Sequence, residues 1–378
     1  MHVRFLGAAA IVLTLSVMTA PSASAQDAQA AKVSVDVHKL DATVAKAVDF
    51  LKSKGQAENG SFSEQAGPAV TALVATAMMR SGVKPTDESV AKALKYLDGF
   101  VQKDGGVYKG ENYRNYETCL AVMCFVEANA DGRYTEKIKN AEKFLRGIQW
   151  DKGEGLEDSD PRVGGQGYGS HKRPDLSNTQ MYLDALKSIG AGEDDPAVQQ
   201  ALKFVSQCQN LESEHNTGTF AVKNPDGGFV YTPAAGGDSQ AGSLSNGGLR
   251  SYASMTYAGL KSMIYAGVKE DDQRVKAAIA WIKKNYDLKT NPGMGPSGLY
   301  YYYNTFAKAL EALGQDEIED ASGRKHNWRQ ELIDVLAQQQ KPDGSWINEN
   351  ARWLEGDPNL VTGYALLALS HCRPQAKK

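Results

Sequence analysis

A long basic stripe is missing from this sequence. Its nearest approach is the short group His171, Lys172, Arg173, and the formal net charge is −3. That balance excludes a dedicated nucleic-acid binder. Cysteine is scarce, with four in 378 residues, and no C-x-x-C pair occurs, so no zinc motif is visible. Cys119 and Cys124 fall on one predicted helix at a spacing that turns them to different angles, too far apart to bridge. Cys208 and Cys372 can meet only if the fold joins them, so the expectation is four buried apolar thiols. Beyond the N-terminus no uncharged apolar run approaches the ~18 residues that a membrane-crossing helix needs. Sustained period-two alternation is also absent, which excludes a strand-rich fold.

What is present begins with a leader-like N-terminus. Arg4 precedes an apolar stretch over 5–17, and Ala23, Ser24 and Ala25 offer a small-residue cleavage site. This pattern reads as a secretory signal peptide over 1–25. The expected organisation is then a flexible stretch over 26–39, one folded domain over 40–373 and a short tail over 374–378. The expected location is periplasmic or extracellular. A hydrophobic fraction of 42% and a charged fraction of 23% are ordinary for a globular chain.

A repeat organises the rest. Glycine turns followed by an aromatic or apolar residue recur: "NGSF" at 59–62, "DGGVY" at 104–108, "GQGYG" at 165–169, "DGGFVY" at 226–231, "PSGLYYYY" at 296–303 and "DGSW" at 343–346. Their spacing of roughly 45 to 70 residues is that of a solenoid or ring. Before each turn lies an amphipathic helix with one apolar stripe, as in Val44, Val48, Leu51 and in Val275, Ile279, Ile282. One wet face marks an outer layer. After each turn comes a helix rich in Ala, Gly, Ser and Thr with little charge, predicted over 68–82, 117–129, 178–190, 251–267, 303–314 and 359–372. Low polarity on most sides means burial on most sides. A linear array would leave its end repeats uncovered and would need polar caps, which neither end supplies. The sequence therefore predicts an all-α (α/α)6 toroid, six inner helices inside six outer ones. The long segments 151–176, 211–249 and 288–299 should emerge where the inner helices begin.

The stretch "LIDVLAQQQKPDGSW" at 332–346 resembles the QW repeat of squalene and hopene cyclases, with Gln340, Gly344 and Trp346 in the matching places. The segment 143–156 is a looser copy. The resemblance extends to the prenyltransferase superfamily and covers essentially the whole chain after the leader, as a single toroid. It implies an α/α ring with a central ligand cavity. The cyclases protonate a polyene with an Asp-x-Asp-Asp motif at an inner-helix start; here Asp175 matches its first position, but Ser177 and Asn178 stand where the acids should be. The "DSDP" at 158–161 offers carboxylates, but in a loop. The zinc-holding Asp, Cys and His of prenyltransferases are not matched by His171, His326 and His371. No cofactor and no metal are expected. The Cys-Gly-Glu-Gln motif of complement thioester domains, which share the toroid, is absent.

Parallel inner helices would bring six N-termini to one mouth, favouring anions there. Residues near those starts are Glu64, Tyr113, Arg114, Tyr116, Glu117, Asp175, Asn178, Arg250, Tyr252, Tyr301, Tyr303, Trp353, Glu355 and Asp357. From these and the adjacent Arg352, the ligand-binding candidates are Asp175, Asn178, Tyr116, Arg250, Tyr252, Tyr303, Arg352, Trp353 and Asp357. Each has a structural alternative: Asp175 and Asp357 sit where helix caps belong, at most two of the tyrosines at 300–303 can face inward, and Trp346 would plug a corner. The expected partner is a small lipid-like ligand in a central cavity, without ordinary cyclase chemistry. A secreted carbohydrate-active enzyme and a non-catalytic envelope scaffold are the alternatives.

Overall fold

The structure, a computed structural model, describes residues 34–169 and 173–374. The stretch read as a leader, 1–25, lies outside the described residues. Thirteen helices occur among the described residues. The outer ones are α1 (Val37–Phe50), α3 (Glu88–Asp98), α5 (Thr135–Gly147), α7 (Pro196–Gln207), α10 (Gln273–Lys284) and α12 (Trp328–Gln339). The inner ones are α2 (Pro68–Arg80), α4 (Arg114–Glu127), α6 (Leu176–Ser188), α9 (Ala253–Tyr265), α11 (Leu299–Leu313) and α13 (Pro358–Ser370). A short α8 (Thr219–Lys223) sits in the longest connection. Each inner helix packs on the inner helices before and after it, and α13 packs on α2, closing the ring. The all-α toroid is the observed fold.

Local chemistry sets the helix starts. Asp36, Asp87, Asp195, Asp272 and Asn327 cap outer helices through their side chains, each satisfying a first-turn N–H. Asp36 starts α1 at Val37, so the stretch expected to be flexible over 26–39 is already helical in its last residues. The inner helices are buried almost all round; α2 buries every residue from Val70 to Met78. All four cysteines are buried and free, so Cys208 and Cys372 do not pair.

One corner, repeated, joins the layers. Gly344 has φ +91°, and a Cβ on it would lie 2.1 Å from the Lys46 carbonyl oxygen in α1. Only glycine fits a left-handed position pressed onto another helix backbone. Gly60, Gly105, Gly164 and Gly227 repeat this contact against α3, α5, α7 and α10. Two residues on, the backbone N–H donates to an inner-helix threonine: Phe62 to Thr71, Val107 to Thr118, Gln166 to Thr179, Phe229 to Thr256 and Trp346 to Thr362. In four corners a glutamine closes the third side. Gln340 donates to the Gly344 carbonyl and to Thr43 O in α1, and Gln56, Gln149 and Gln209 do the same to the next outer helix. Trp346 fills its corner, fully buried, with Nε1 donating to Leu336 O at 2.8 Å.

The connection from α10 to α11 departs from this plan and overturns the predicted start of α11. The helix begins at Leu299, not Tyr303, so all four tyrosines lie in its first turns. Gly298 at the cap position offers no side chain. The cap comes from far along the chain: Glu355 Oε1 accepts the Tyr301 N–H at 2.8 Å.

Deeper along the axis, three adjacent inner helices are tied by buried charge. Lys261 of α9 and Lys308 of α11 both reach Asp184 of α6, Lys308 at 2.8 Å. Burial alone would raise the Asp184 carboxyl, but the two ammonium groups outweigh it and hold it ionised.

The corner geometry makes a paired prediction. Gly344→Ala should destabilise the protein by about 3 kcal/mol or more, from left-handed strain plus a backbone clash. Gly314→Ala, at φ +73° with nothing within 4 Å of a Cβ, should cost only about 1 kcal/mol. Urea denaturation of the two variants gives the comparison.

Candidate functional site

The inner-helix starts enclose a cavity of about 690 Å³. Its inner surface comes from residues one or two turns into the helices: Val70 and Leu73 of α2, Leu120 of α4, Met255 of α9, and Leu360 and Tyr364 of α13. Aromatic side chains cover much of the rest: Tyr116, Tyr168, Tyr231, Tyr252 and Tyr301. Tyr113, Trp353 and Leu354 form the outer rim and are 53%, 45% and 55% exposed. Polar groups are interspersed among them, including Gln65, Lys109, Glu111, Asn112, Ser177, Gln240 and Ser254. An open groove on the outside, between α1 and residues 81–87, encloses about 590 Å³ but receives no inner helix.

Expected residues divide by position. Tyr116, Tyr252 and Trp353 line the cavity, as do Tyr113, Glu117, Tyr301 and Glu355. Arg352 stacks on Trp353, with its guanidinium 4.2 Å from the ring centroid, and its Nη2 donates to Gln240 Oε1 at 2.6 Å. It braces the rim from outside. Asp175 and Asn178 lie behind the wall. Asp175 caps α6 by accepting the Asn178 N–H at 2.9 Å, and Asn178 Nδ2 returns to the same carboxylate. Asp357 caps α13, accepting from the Asn359 N–H at 2.9 Å, and stays off the cavity surface. Arg250 turns away, its Nε donating to Ser243 O at 3.2 Å. Tyr303 points to the outer layer, fully buried, with its hydroxyl donating to Leu288 O at 2.7 Å. The shift of the α11 start explains this last displacement, since it turns Tyr301 rather than Tyr303 to the axis. Glu64 and Arg114 also lie off the cavity surface.

Tyr168 and Tyr231 are wall residues that the sequence does not single out. Both follow corner glycines, in "GQGYG" and "DGGFVY". An aromatic in that place, beside an inner-helix start, is the signal that could have found them. Tyr231 bonds through its hydroxyl to buried Asp175, tying the capping carboxylate to the wall. Burial raises the Asp175 carboxyl to about 6 against that bond and those from Asn178.

Two carboxyl groups line the cavity deep enough to be desolvated. Glu355 accepts from the Tyr301 N–H and from Asn348 Nδ2, at 2.8 and 2.6 Å, so both of its oxygens are engaged by donors. Burial nevertheless pushes it upward. Glu117 is different. Its Oε2 accepts the Lys109 N–H at 2.8 Å, while Oε1 packs against Gly67, where a Cβ would lie 2.6 Å away. Burial raises its carboxyl to about 7, and the single backbone donor offsets only part of that. Glu117 is thus a carboxyl that holds its proton near neutrality at the edge of an apolar cavity. Among the described residues, no group of three or more His, Cys, Asp or Glu could hold a metal ion, and no helix is long and apolar enough to cross a membrane.

No family model matches the sequence, and no curated protein matches it. Solved structures do resemble it in shape. The chain is similar to the type II terpene cyclase MstE from Scytonema, at 14% identity over 88% of this chain and 98% of that one, with a TM-score of 0.53. It is similar to a possible member of the GH105 family from Salmonella enterica serovar Paratyphi A, at 11% identity over 88% and 93%, with a TM-score of 0.52. A polysaccharide lyase gives 10% identity over 88% and 96%, with a TM-score of 0.50. Identities this low show the α/α toroid alone.

Glu117 sets a pH dependence. Its folded-state value lies above the ordinary 4.5, so between about 4.5 and 7 the native state keeps a proton that the unfolded chain has lost. Stability falls as pH rises through that window, and Asp175 adds a fall of the same sign up to about 6. Glu117→Gln should reduce the decline between pH 5 and 8 by on the order of 2 kcal/mol while leaving the Asp175 part. Chemical denaturation at the two pH values checks it. An equal decline in both proteins would contradict the assignment.

Proposed function

We propose that this protein binds an isoprenoid or another lipid-like molecule in its axial cavity, without the standard chemistry of the cyclases. One observation carries the reading: apolar and aromatic side chains from five inner helices and the connections between them converge on one partly open space of about 690 Å³. Such a lining favours an apolar occupant. The likeness in fold to a type II terpene cyclase supports it.

The acids argue for binding over cyclisation. Protonating an unactivated double bond calls for a strongly activated carboxylic acid. Ser177 and Asn178 supply none, Asp175 is spent on a helix start, and Glu117 at about 7 is a weak acid that keeps its proton. A neutral Glu117 suits hydrogen-bond donation to an oxygen of the ligand.

The carbohydrate-active reading draws on the same carboxyl and on fold likeness to the possible GH105 member and the polysaccharide lyase. Two features weigh against it. Glycoside hydrolysis takes two free carboxyl groups across the bond, and Glu355 is occupied in capping α11. A lyase neutralises a uronate with a cation, and among the described residues the cavity lining offers one, Lys109, and no arginine.

Leu120 faces the cavity with room in front of it, so Leu120→Trp should fill the space and leave the ring intact. Native mass spectrometry of protein purified from its own source should show a retained apolar ligand in the wild type and at least ~10-fold less in the variant. Wild-type protein that arrives empty and releases unsaturated sugars from polyuronates would replace this reading with the saccharide one. The leader over 1–25, a domain over 40–373 and export remain part of the proposal. An intact mass of the secreted protein starting at Gln26 is the expected result, and an unprocessed N-terminus would contradict it.

A further inference from the structure

Lys261 is fully buried on α9, yet it is bonded to more than Asp184. Its ammonium also donates to Gln180 Oε1, on α6. An ammonium has no acceptor, so it fixes which end of the Gln180 amide faces it. The other end, Nε2, must then point away, and it lies 3.2 Å from the Tyr301 hydroxyl. Tyr301 Oη therefore accepts there. It lies 3.0 Å from Ser177 Oγ, which is half-buried on the cavity wall.

Counting protons gives the consequence. Ser177 and Tyr301 carry one hydroxyl proton each, and the bond between them uses one. No other protein acceptor reaches either hydroxyl among the described residues. Whichever way the Ser–Tyr bond runs, one proton is left over at the cavity wall. Gln180 cannot turn to accept that proton, because the ammonium behind it holds the amide oxygen away from Tyr301. Tyr116 and Tyr364, with hydroxyls 3.1 Å apart, leave a proton over in the same way but have no cation behind them.

We propose that the Ser177–Tyr301 hydroxyl pair, oriented through Gln180 by buried Lys261, is a subsite for an acceptor oxygen on the ligand. The ligand is then an oxygenated isoprenoid or lipid, a ketone, ether or ester with its oxygen inside the cavity, and not a pure hydrocarbon. This inference rests on the lipid-like reading above and narrows it. It also gives a role to the serine standing where the cyclases place an acid: a neutral donor holds an oxygen that an acid would attack.

The test uses the full chain and two probes of one shape, farnesylacetone and the hydrocarbon with a methylene in place of its carbonyl. Affinities are measured by quenching of intrinsic fluorescence. Wild type should prefer the ketone by about 10-fold, the size of one hydrogen bond. The double variant Tyr301→Phe/Ser177→Ala should bring the preference to within about 2-fold, with hydrocarbon affinity held, whereas either single variant keeps one hydroxyl proton and with it part of the preference. The bound ketone should show a lowered carbonyl stretch in wild type that returns in the double variant. A preference that survives the double variant overturns the subsite, and so does equal binding of both probes by wild type, which leaves the lipid-like reading standing. Failure of wild type to bind either probe overturns both.

Discussion

Five glycines lying against the backbones of neighbouring outer helices set the dimensions of this ring. At each such corner the approach is too close for any side chain, so the outer helix of the next repeat is held at a fixed height above the turn. The threonine on the inner helix then fixes where that helix begins relative to the same turn. Together these contacts bring inner-helix starts to one level around the axis. Gly344 and Gln340 carry the pattern from the last outer helix back onto α1, so closure uses the same contact as four other steps. The cavity exists because identically phased helices, each bearing small residues, stop short of filling the axis.

Two buried carboxylates show how the ring treats charge. Asp184 meets two ammonium groups from neighbouring helices and stays ionised. Glu117 meets one backbone N–H and drifts toward neutrality. Desolvation acts on both; the difference is the pair of adjacent cations at Asp184. A buried charge cluster thus lies deep along the axis, where it ties α6, α9 and α11. From it the chain Lys261, Gln180, Tyr301 delivers polarity to one spot on the cavity surface.

The sequence carries the ring legibly because its determinants are local. Aspartates before outer helices, glycines in the corners and low-charge inner helices each act within a few residues. Gln340 shows its corner role in one sharp copy, whereas Gln149 and Gln209 sit 15 and 18 residues from the glycines they clamp, and the pattern is lost to the eye. The site is less legible. Asp175 and Tyr303 lie on helices buried all round, so periodicity does not say which side faces the axis. The start of α11 depends on Glu355, 54 residues beyond Tyr301, and no local signal marks it. Glu117 is visible as a residue near the mouth, but its neutrality follows from burial and from Gly67 lying against it.

The Glu355 cap has a mechanical meaning. Trp353 and Leu354 hold left-handed backbone at the rim, at φ 56° and 64°, and the next residue carries the carboxylate that starts α11. Trp353 also rests where Gly298 leaves space just before that helix. The rim and the first turn of α11 are therefore one lever. A molecule leaning on the indole would load the same bond that keeps Tyr301 turned inward, so under the proposed function the seating of a ligand and the order of this inner helix would rise and fall together.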